Sequence, residues 1–192
     1  MDSAPGPQFR VKLATTEEEL REAQRLRYRV FVEELGGDGP LVDHKAGLER
    51  DRFDIFFDHL ILIDDAKNGS VVGVYRLLRD DQAARAGQFY SEGEYDISAL
   101  RASGRRLLEL GRSCLDPAYR GGAGMYHLWS GLADYVARHD IDILFGVASF
   151  HGTDPQALAQ PLSLLHHRHL APCPLRVRAQ AEHYQRMDLM PE

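Results

Sequence analysis

Phe9, Val11 and Leu13 alternate with Arg10 and Lys12, a period of two that predicts a short strand. The period then changes. Thr16 and Glu19 have capping-box spacing, and Leu20, Ala23, Leu26, Val30 and Phe31 follow as one apolar stripe of a helix. Gly36-Gly37 ends that helix. Residues 36–54 are polar and read as a loop carrying Asp38, Asp43, Glu49, Asp51 and Asp54. His59 to Ile63 and Val71 to Leu78 are apolar runs flanking Lys67-Asn68-Gly69-Ser70, which predicts a hairpin. Residues 80–105 are mixed, with a helical turn over 98–102. Leu107 to Leu115 reads as a buried strand, Asp116 to Gly124 as a Gly-rich loop, and Met125 to His139 as a helix with Leu128, Leu132, Tyr135 and Val136 on one side. A β-rich run over 141–150 precedes a helix over 153–169, capped by Thr153 or Asp154 with Pro155 in its first turn. Leu175, Val177 and Ala179 alternate and suggest a last strand. The order β-α-β-β-(mixed)-β-loop-α-β-α-(β) predicts an α/β fold, a mixed sheet flanked by helices.

Composition narrows the class. At 192 residues and 44% apolar, the chain can bury a core without disulfides or metal. No apolar run is long enough to span a bilayer, and the N-terminus lacks signal-peptide character. Two cysteines, Cys114 and Cys173, suit a reducing cytosol. The net charge of -6 argues against nucleic acid as a partner. The charge is uneven, though. Residues 1–96 hold 13 Lys/Arg and 20 Asp/Glu, residues 97–192 hold 10 and 9, and the second half carries seven of the nine His. An acidic partner would find the second half more welcoming. The organisation expected is a flexible leader over 1–7, one domain over 8–180 and a tail over 181–192.

Several residues could carry chemistry. Glu109 is a carboxylate inside an apolar strand, which is costly unless paired. A bulge at Gly111 would bring Arg112 to its face as a partner; unpaired, Glu109 would have a raised pKa and serve as a general base. Arg120, Gly121, Gly122 and Gly124 lie at a strand end and a helix start, where backbone amides can cradle a phosphate. An ordinary glycine turn explains the same spacing. Arg27 and Phe31 are i, i+4 and share a face; Arg27 would reach over the apolar stripe toward a ligand or an acid or, the reading favoured in isolation, snorkel at the surface. Asp51 and Asp54 would bind a cationic substrate, pair with Arg76, or stand solvated. Cys114 reads as a core thiol. The run His166-His167-Arg168-His169 lacks metal-ligand spacing and reads, with Arg176 and Arg178, as a basic surface; no metal is expected.

These residues also carry resemblances. The segment Glu109 to Gly124 and the element order resemble the GNAT acyltransferase superfamily, with Arg120 fitting its phosphate loop while Ala123 and Met125 occupy the two small-residue positions. Leu26-Arg27-Tyr28-Arg29-Val30-Phe31, Asp51-Arg52-Phe53-Asp54, Tyr75-Arg76-Leu77-Leu78 and Glu109-Leu110-Gly111-Arg112 look like landmarks of acyl-homoserine-lactone synthases, without the Trp those enzymes carry after the first helix. A more extensive resemblance is to the ornithine-acyl-carrier-protein N-acyltransferases of bacterial ornithine-lipid synthesis. It rests on Tyr28 to Gly36, Asp58 to Leu62, Phe89 to Glu92, Leu108 to Cys114, Leu144 to Gly152 and Leu165 to Arg178. Members of that family usually continue well past the equivalent of Glu192.

The resemblance implies a GNAT-like, mostly antiparallel sheet splayed at the strand carrying Glu109. It implies transfer of a 3-hydroxyacyl chain from acyl carrier protein to the α-amine of L-ornithine. Glu109 would be catalytic. Arg27, Phe31, Asp51, Asp54, Arg76 and Arg112 would bind or organise the acceptor site. Gly111, Arg112, Ser113, Cys114, Arg120, Gly121, Gly122 and Gly124 would hold the thioester and the phosphopantetheine arm, with CoA as another donor. The location implied is cytoplasmic, with transient contact at the inner membrane. The rival readings are an acyl-homoserine-lactone synthase, a CoA-dependent small-molecule acetyltransferase, and a non-catalytic acyl-carrier or lipid-binding module.

Overall fold

The computed structural model describes residues 6–192. Most of the expected leader therefore lies outside the described residues. Five strands form one sheet in the order β1-β2-β3-β5-β6: β1 (Phe9–Leu13), β2 (Asp58–Asp64), β3 (Ser70–Arg79), β5 (Leu107–Leu115) and β6 (Ile143–Phe145). Every neighbouring pair is antiparallel except β5 with β6. A separate ribbon pairs β4 (Tyr95–Asp96) with β7 (Arg178–Ala179), so the last predicted strand exists but leaves the main sheet.

Helix α1 (Glu17–Arg27) starts as its sequence dictates, with the Thr16 hydroxyl accepting from Glu19 N and Glu19 closing the capping box. Its stripe of Ala23, Leu26 and Val30 packs on Ile61, Ile63 and Val74 of one sheet face. The opposite face is covered by α4 (Gly124–Arg138), through Leu128, Leu132 and Tyr135. A third cluster, with Phe53, Phe57, Phe89 and Leu107, fills the end of the sheet under α2 (Asp80–Ala86) and α3 (Ser98–Ala102). Truncating a buried Leu, Ile or Phe of these clusters to Ala would cost roughly 2–5 kcal/mol.

Four elements differ from the sequence reading. The first helix does not run on as α to Gly36; residues Tyr28–Glu34 widen into a π-helix, where Leu35 N donates to Val30 O at 3.2 Å. Gly36, at φ +71°, then turns the chain. Helix α2 follows β3 directly, with Gln82 capping the Arg79 N–H. Strand β6 covers only Ile143–Phe145, because a Cβ on Gly146 would lie 2.3 Å from Leu110 O: the chain crosses β5 too closely to continue as its neighbour. Helix α5 begins at Ala159, since Asp154 caps a preceding turn by accepting from Gln156 N instead of opening the helix. The last residues fold back on α5, where Ser163 Oγ accepts from Leu189 N and Met190 N.

Candidate active site

Strand β5 organises the site because it is paired unequally on its two sides. Against β3 it runs its full length; against β6 the register ends at Glu109↔Phe145. Beyond that pair the β5–β6 ladder stops, with Gly146 still tight against Leu110 O, and Glu109 stands at this fork, the end of the pairing. On the β3 side the register slips: Arg76 faces Gly111 and Val74 faces Cys114, so Arg112 and Ser113 together oppose Tyr75. The expected bulge is present one residue later than Gly111. Arg112 takes the left-handed conformation, φ +51°, at a cost of about 1 kcal/mol or more for a side-chain-bearing residue.

The bulge brings Arg112 to the Glu109 side, yet the two do not pair. Glu109, 1% exposed, is held by the turn Tyr90–Gly93. Tyr90 N donates to Oε2 at 2.7 Å, Ser91 N to Oε1 at 2.6 Å, and the Ser91 hydroxyl to the same oxygen. Burial pushes the Glu109 carboxyl above its usual range; the Ser91 and Tyr90 donors and the nearby Arg76 pull part of the way back. A carboxylate offers about four acceptor positions. Three are filled, and one on Oε2 remains.

Arg112 turns instead to Glu49, Nε to Oε1 at 3.0 Å, with its guanidinium 5.2 Å from the Tyr90 ring. Glu49 opens a cage of ions. Arg27, fully buried, donates to Glu49 Oε2 at 2.5 Å and to Asp54 Oδ1 at 2.7 Å. Arg27 therefore does not snorkel to solvent: it reaches past the sheet-facing stripe to the acids Glu49 and Asp54. Arg76, also buried, donates to Asp54 Oδ1 at 2.7 Å and lies 2.9 Å from Asp51 Oδ2. Gln24 Nε2 adds a bond to Asp54 Oδ2 at 3.0 Å. Three guanidiniums thus meet three carboxylates with no net charge. Burial alone would push the Asp54 carboxyl up, but Arg27 and Arg76 outweigh it and hold it at about 2. His59 Nε2 donates to Asp54 O at 3.0 Å, and burial depresses its pKa, so it adds no charge. Asp54, with every acceptor engaged, organises arginines and does not face a substrate. Asp51 and Arg112, about one-fifth exposed each, form the accessible rim.

The donor-side residues gather on the far half of β5. A cleft of about 390 Å³ is lined by Val30, Phe31, Ser113, Cys114, Arg120 and Gly121, among others. Phe31 joins it because the π-turn carries the chain across this face. Cys114 is a buried thiol whose pKa burial pushes up to about 12, so it is no nucleophile at neutral pH. Gly121, at φ +73°, and Gly122 form the loop, while a Cβ on Gly124 would lie 3.4 Å from Leu115 and Leu62. The N-terminus of α4 receives no side-chain cap, which leaves its amides for an anion. Arg120 does not point into free space: Nη1 and Nη2 each donate to the Glu34 carboxylate at 2.6 Å. The His166–His169 run lies on the surface of the α5 end, with His167 Nε2 donating to Met190 O. Sequence reasoning missed the roles of Glu49, Ser91 and Glu34. Glu49 was one acid among five in a loop, and Ser91 and Glu34 carried no spacing signal at all.

A two-faced sheet with a strand bulged at its centre and parted from its last neighbour is the architecture of a GNAT acyltransferase, and the pattern of the Acetyltransferase (GNAT) domain family matches residues 26–130. Among solved structures, the acyl-homoserine-lactone synthase LasI superposes with a TM-score of 0.54 at 21% identity, over 75% of this chain and 74% of that one. FeeM, an N-acyl amino acid synthase from uncultured soil microbes, gives 0.53 at 17% identity, over 72% and 70%. The sequence relatives are narrower. The L-ornithine N(alpha)-acyltransferase of Rhodobacter capsulatus is 61% identical over 95% of this chain and 71% of its own length, and that of Brucella abortus 45% identical over 95% and 67%. The chain belongs to this L-ornithine N(alpha)-acyltransferase family within the GNAT acyltransferases, and spans about two thirds of the length of these relatives.

Proposed function

We propose that this chain transfers a 3-hydroxyacyl group from acyl carrier protein to the α-amine of L-ornithine, giving lyso-ornithine lipid. The observation that carries the reading is Glu109, a buried carboxyl of raised pKa with one open acceptor position, at the fork between β5 and β6. The family relatives' named acceptor, L-ornithine, supports the choice of amine.

The α-amine has a reference pKa near 8, against roughly 10.4 for a side-chain ammonium, so it is the easier of ornithine's two amines to free of its proton. Glu109 takes that proton, through a water, since the Tyr90–Ser91 turn covers the carboxylate. The amine nitrogen attacks the thioester carbonyl directly. Amides along residues 111–115, at the bulge, receive the oxyanion. The carbon–sulfur bond breaks, the pantetheine sulfur leaves as a thiol with the proton, and an amide remains. Arg120 and the uncapped start of α4 hold the arm's phosphate. The cage of Arg27, Arg76, Glu49 and Asp54 keeps Arg112 and Asp51 in place for the acceptor's charges. The basic residues of the second half meet the acidic carrier. Among the described residues no helix is long and apolar enough to cross a membrane; the reading places the enzyme in the cytoplasm, touching the inner membrane as its amphiphilic product leaves.

The test is product mass after mixing the chain with 3-hydroxyacyl-acyl carrier protein and ornithine, with acyl-CoA as donor control and lysine and glutamine as acceptor controls. N-acyl-ornithine formed from the carrier donor, and lost in Glu109→Gln while donor binding persists, is the expected result. Donor binding without turnover in the unaltered chain would favour a binding module instead.

A further inference from the structure

The cleft beside β5 holds one acid at its mouth. Glu34 closes the π-helix, half exposed, and grips both terminal nitrogens of Arg120 at 2.6 Å. Two parallel bonds from a guanidinium fork are the way Arg holds a carboxylate or a phosphate. The Arg120 interaction keeps the Glu34 carboxyl below its usual range, and His151, also lining the cleft, lies close enough to add to this. Glu34 is therefore ionised at neutral pH, and it fills the bonding positions that the donor's phosphate would take. The π-turn is what places it there.

We propose that Glu34 is a specificity-determining residue of the donor cleft, a resident anion that the donor phosphate must displace from Arg120. The inference rests on the donor reading above. A carrier-borne arm brings one phosphodiester, so one negative charge replaces another at the fork. CoA brings a pyrophosphate and a further phosphate, and these extra charges must lie near a displaced carboxylate that stays in the cleft mouth. Glu34 thus penalises the polyanionic donor more than the single phosphodiester.

The experiment is calorimetric titration of the chain with CoA and with phosphopantetheine as its methyl phosphodiester, which carries the single negative charge of the carrier-borne arm, using Glu34→Gln, Glu33→Gln and Arg120→Gln. Glu33→Gln removes the same charge from the adjacent exposed position. Glu34→Gln should bind CoA about three- to tenfold more tightly, with a smaller gain for phosphopantetheine, as expected from removing an exposed ion pair and a like charge. The gain should shrink at about 0.5 M salt. A CoA gain in Glu34→Gln no larger than in Glu33→Gln, or an equal gain for both ligands, overturns the inference while leaving the donor cleft intact. Binding unchanged by Arg120→Gln, or absent from the unaltered chain and Glu34→Gln alike, overturns the donor cleft itself and this inference with it.

Discussion

Asp54→Asn is the sharpest probe of the ion cage. The change keeps shape and removes one charge. Asp54 accepts from Arg27 and Arg76, both buried, and from Gln24. An Asn in its place can accept with one oxygen only and turns an amide N–H₂ toward guanidinium donors. The cage is left with one uncompensated buried positive charge, an error worth roughly 3–5 kcal/mol. The acid's own titration gives an independent magnitude. Its pKa falls from an ordinary 3.8 to about 2 in the folded protein, equivalent to roughly 2–3 kcal/mol. The sign follows from a depressed folded pKa: this stabilisation is fully present above about pH 4 and disappears as pH falls through about 2. Asp54→Asn should therefore lower the unfolding free energy by roughly 3–5 kcal/mol at pH 7, with a melting temperature lower by roughly 6–20 °C. The gap to the unaltered chain should narrow between pH 4 and 2. Urea denaturation followed by circular dichroism across that range measures both quantities. A loss under about 1 kcal/mol at pH 7, or a gap that does not narrow in acid, would refute the picture of a charge-balanced cage.

Three other changes test the surroundings of Glu109 and the close approach at Gly146. Ser91→Ala removes a hydroxyl that lowers the Glu109 pKa, so the acidic limb of the pH–rate profile should move to higher pH with the fold preserved; an unmoved limb would separate Glu109 from the rate. Gly146→Ala sets a methyl 2.3 Å from Leu110 O, backbone that cannot yield without opening the fork, and should cost roughly 2–4 kcal/mol in a thermal melt. Gly122→Ala, whose Cβ would meet Tyr119 O at 3.8 Å, should be near neutral in the same measurement.

Periodicity made β1, α1 and α4 legible, because each buries one face against a single layer, while β2, β3 and β5, covered on both faces, showed as continuous apolar runs. It failed where geometry depends on a neighbour. Ile141 to Phe150 has the composition of a strand, but its length is set by the approach of Gly146 to Leu110, a contact between segments 36 residues apart. The π-turn at Tyr28–Glu34 leaves no mark on apolar spacing, since Val30 and Phe31 satisfy an α-helical stripe as well. At the site, the anomalous carboxylate in an apolar strand pointed to Glu109. Its partners did not follow from offsets along β5, because the bonds to it come from Tyr90 and Ser91 in another segment. For Arg27 the local pattern favoured the surface, and only the resemblance, which has Arg27 organise the site, pointed the right way: nothing along the helix announces that Glu49 and Asp54 stand beneath it.

The same cage has a consequence for how the chain reaches its native state. Its members come from α1, the loop over 49–54, β3 and β5, and its bonds join residues 22 to 63 positions apart. No hairpin or helix alone can balance these charges, so early local structure gains nothing from them, and loop closure must come first. On the ribosome, Arg27, Glu49, Asp54 and Arg76 emerge well before Arg112. Until β5 docks, Glu49 holds one arginine partner instead of two, and the rim stays open to water. The acyl-transfer site is thus completed only when the central strand is laid in, and a chain able to turn over substrate has already closed its sheet.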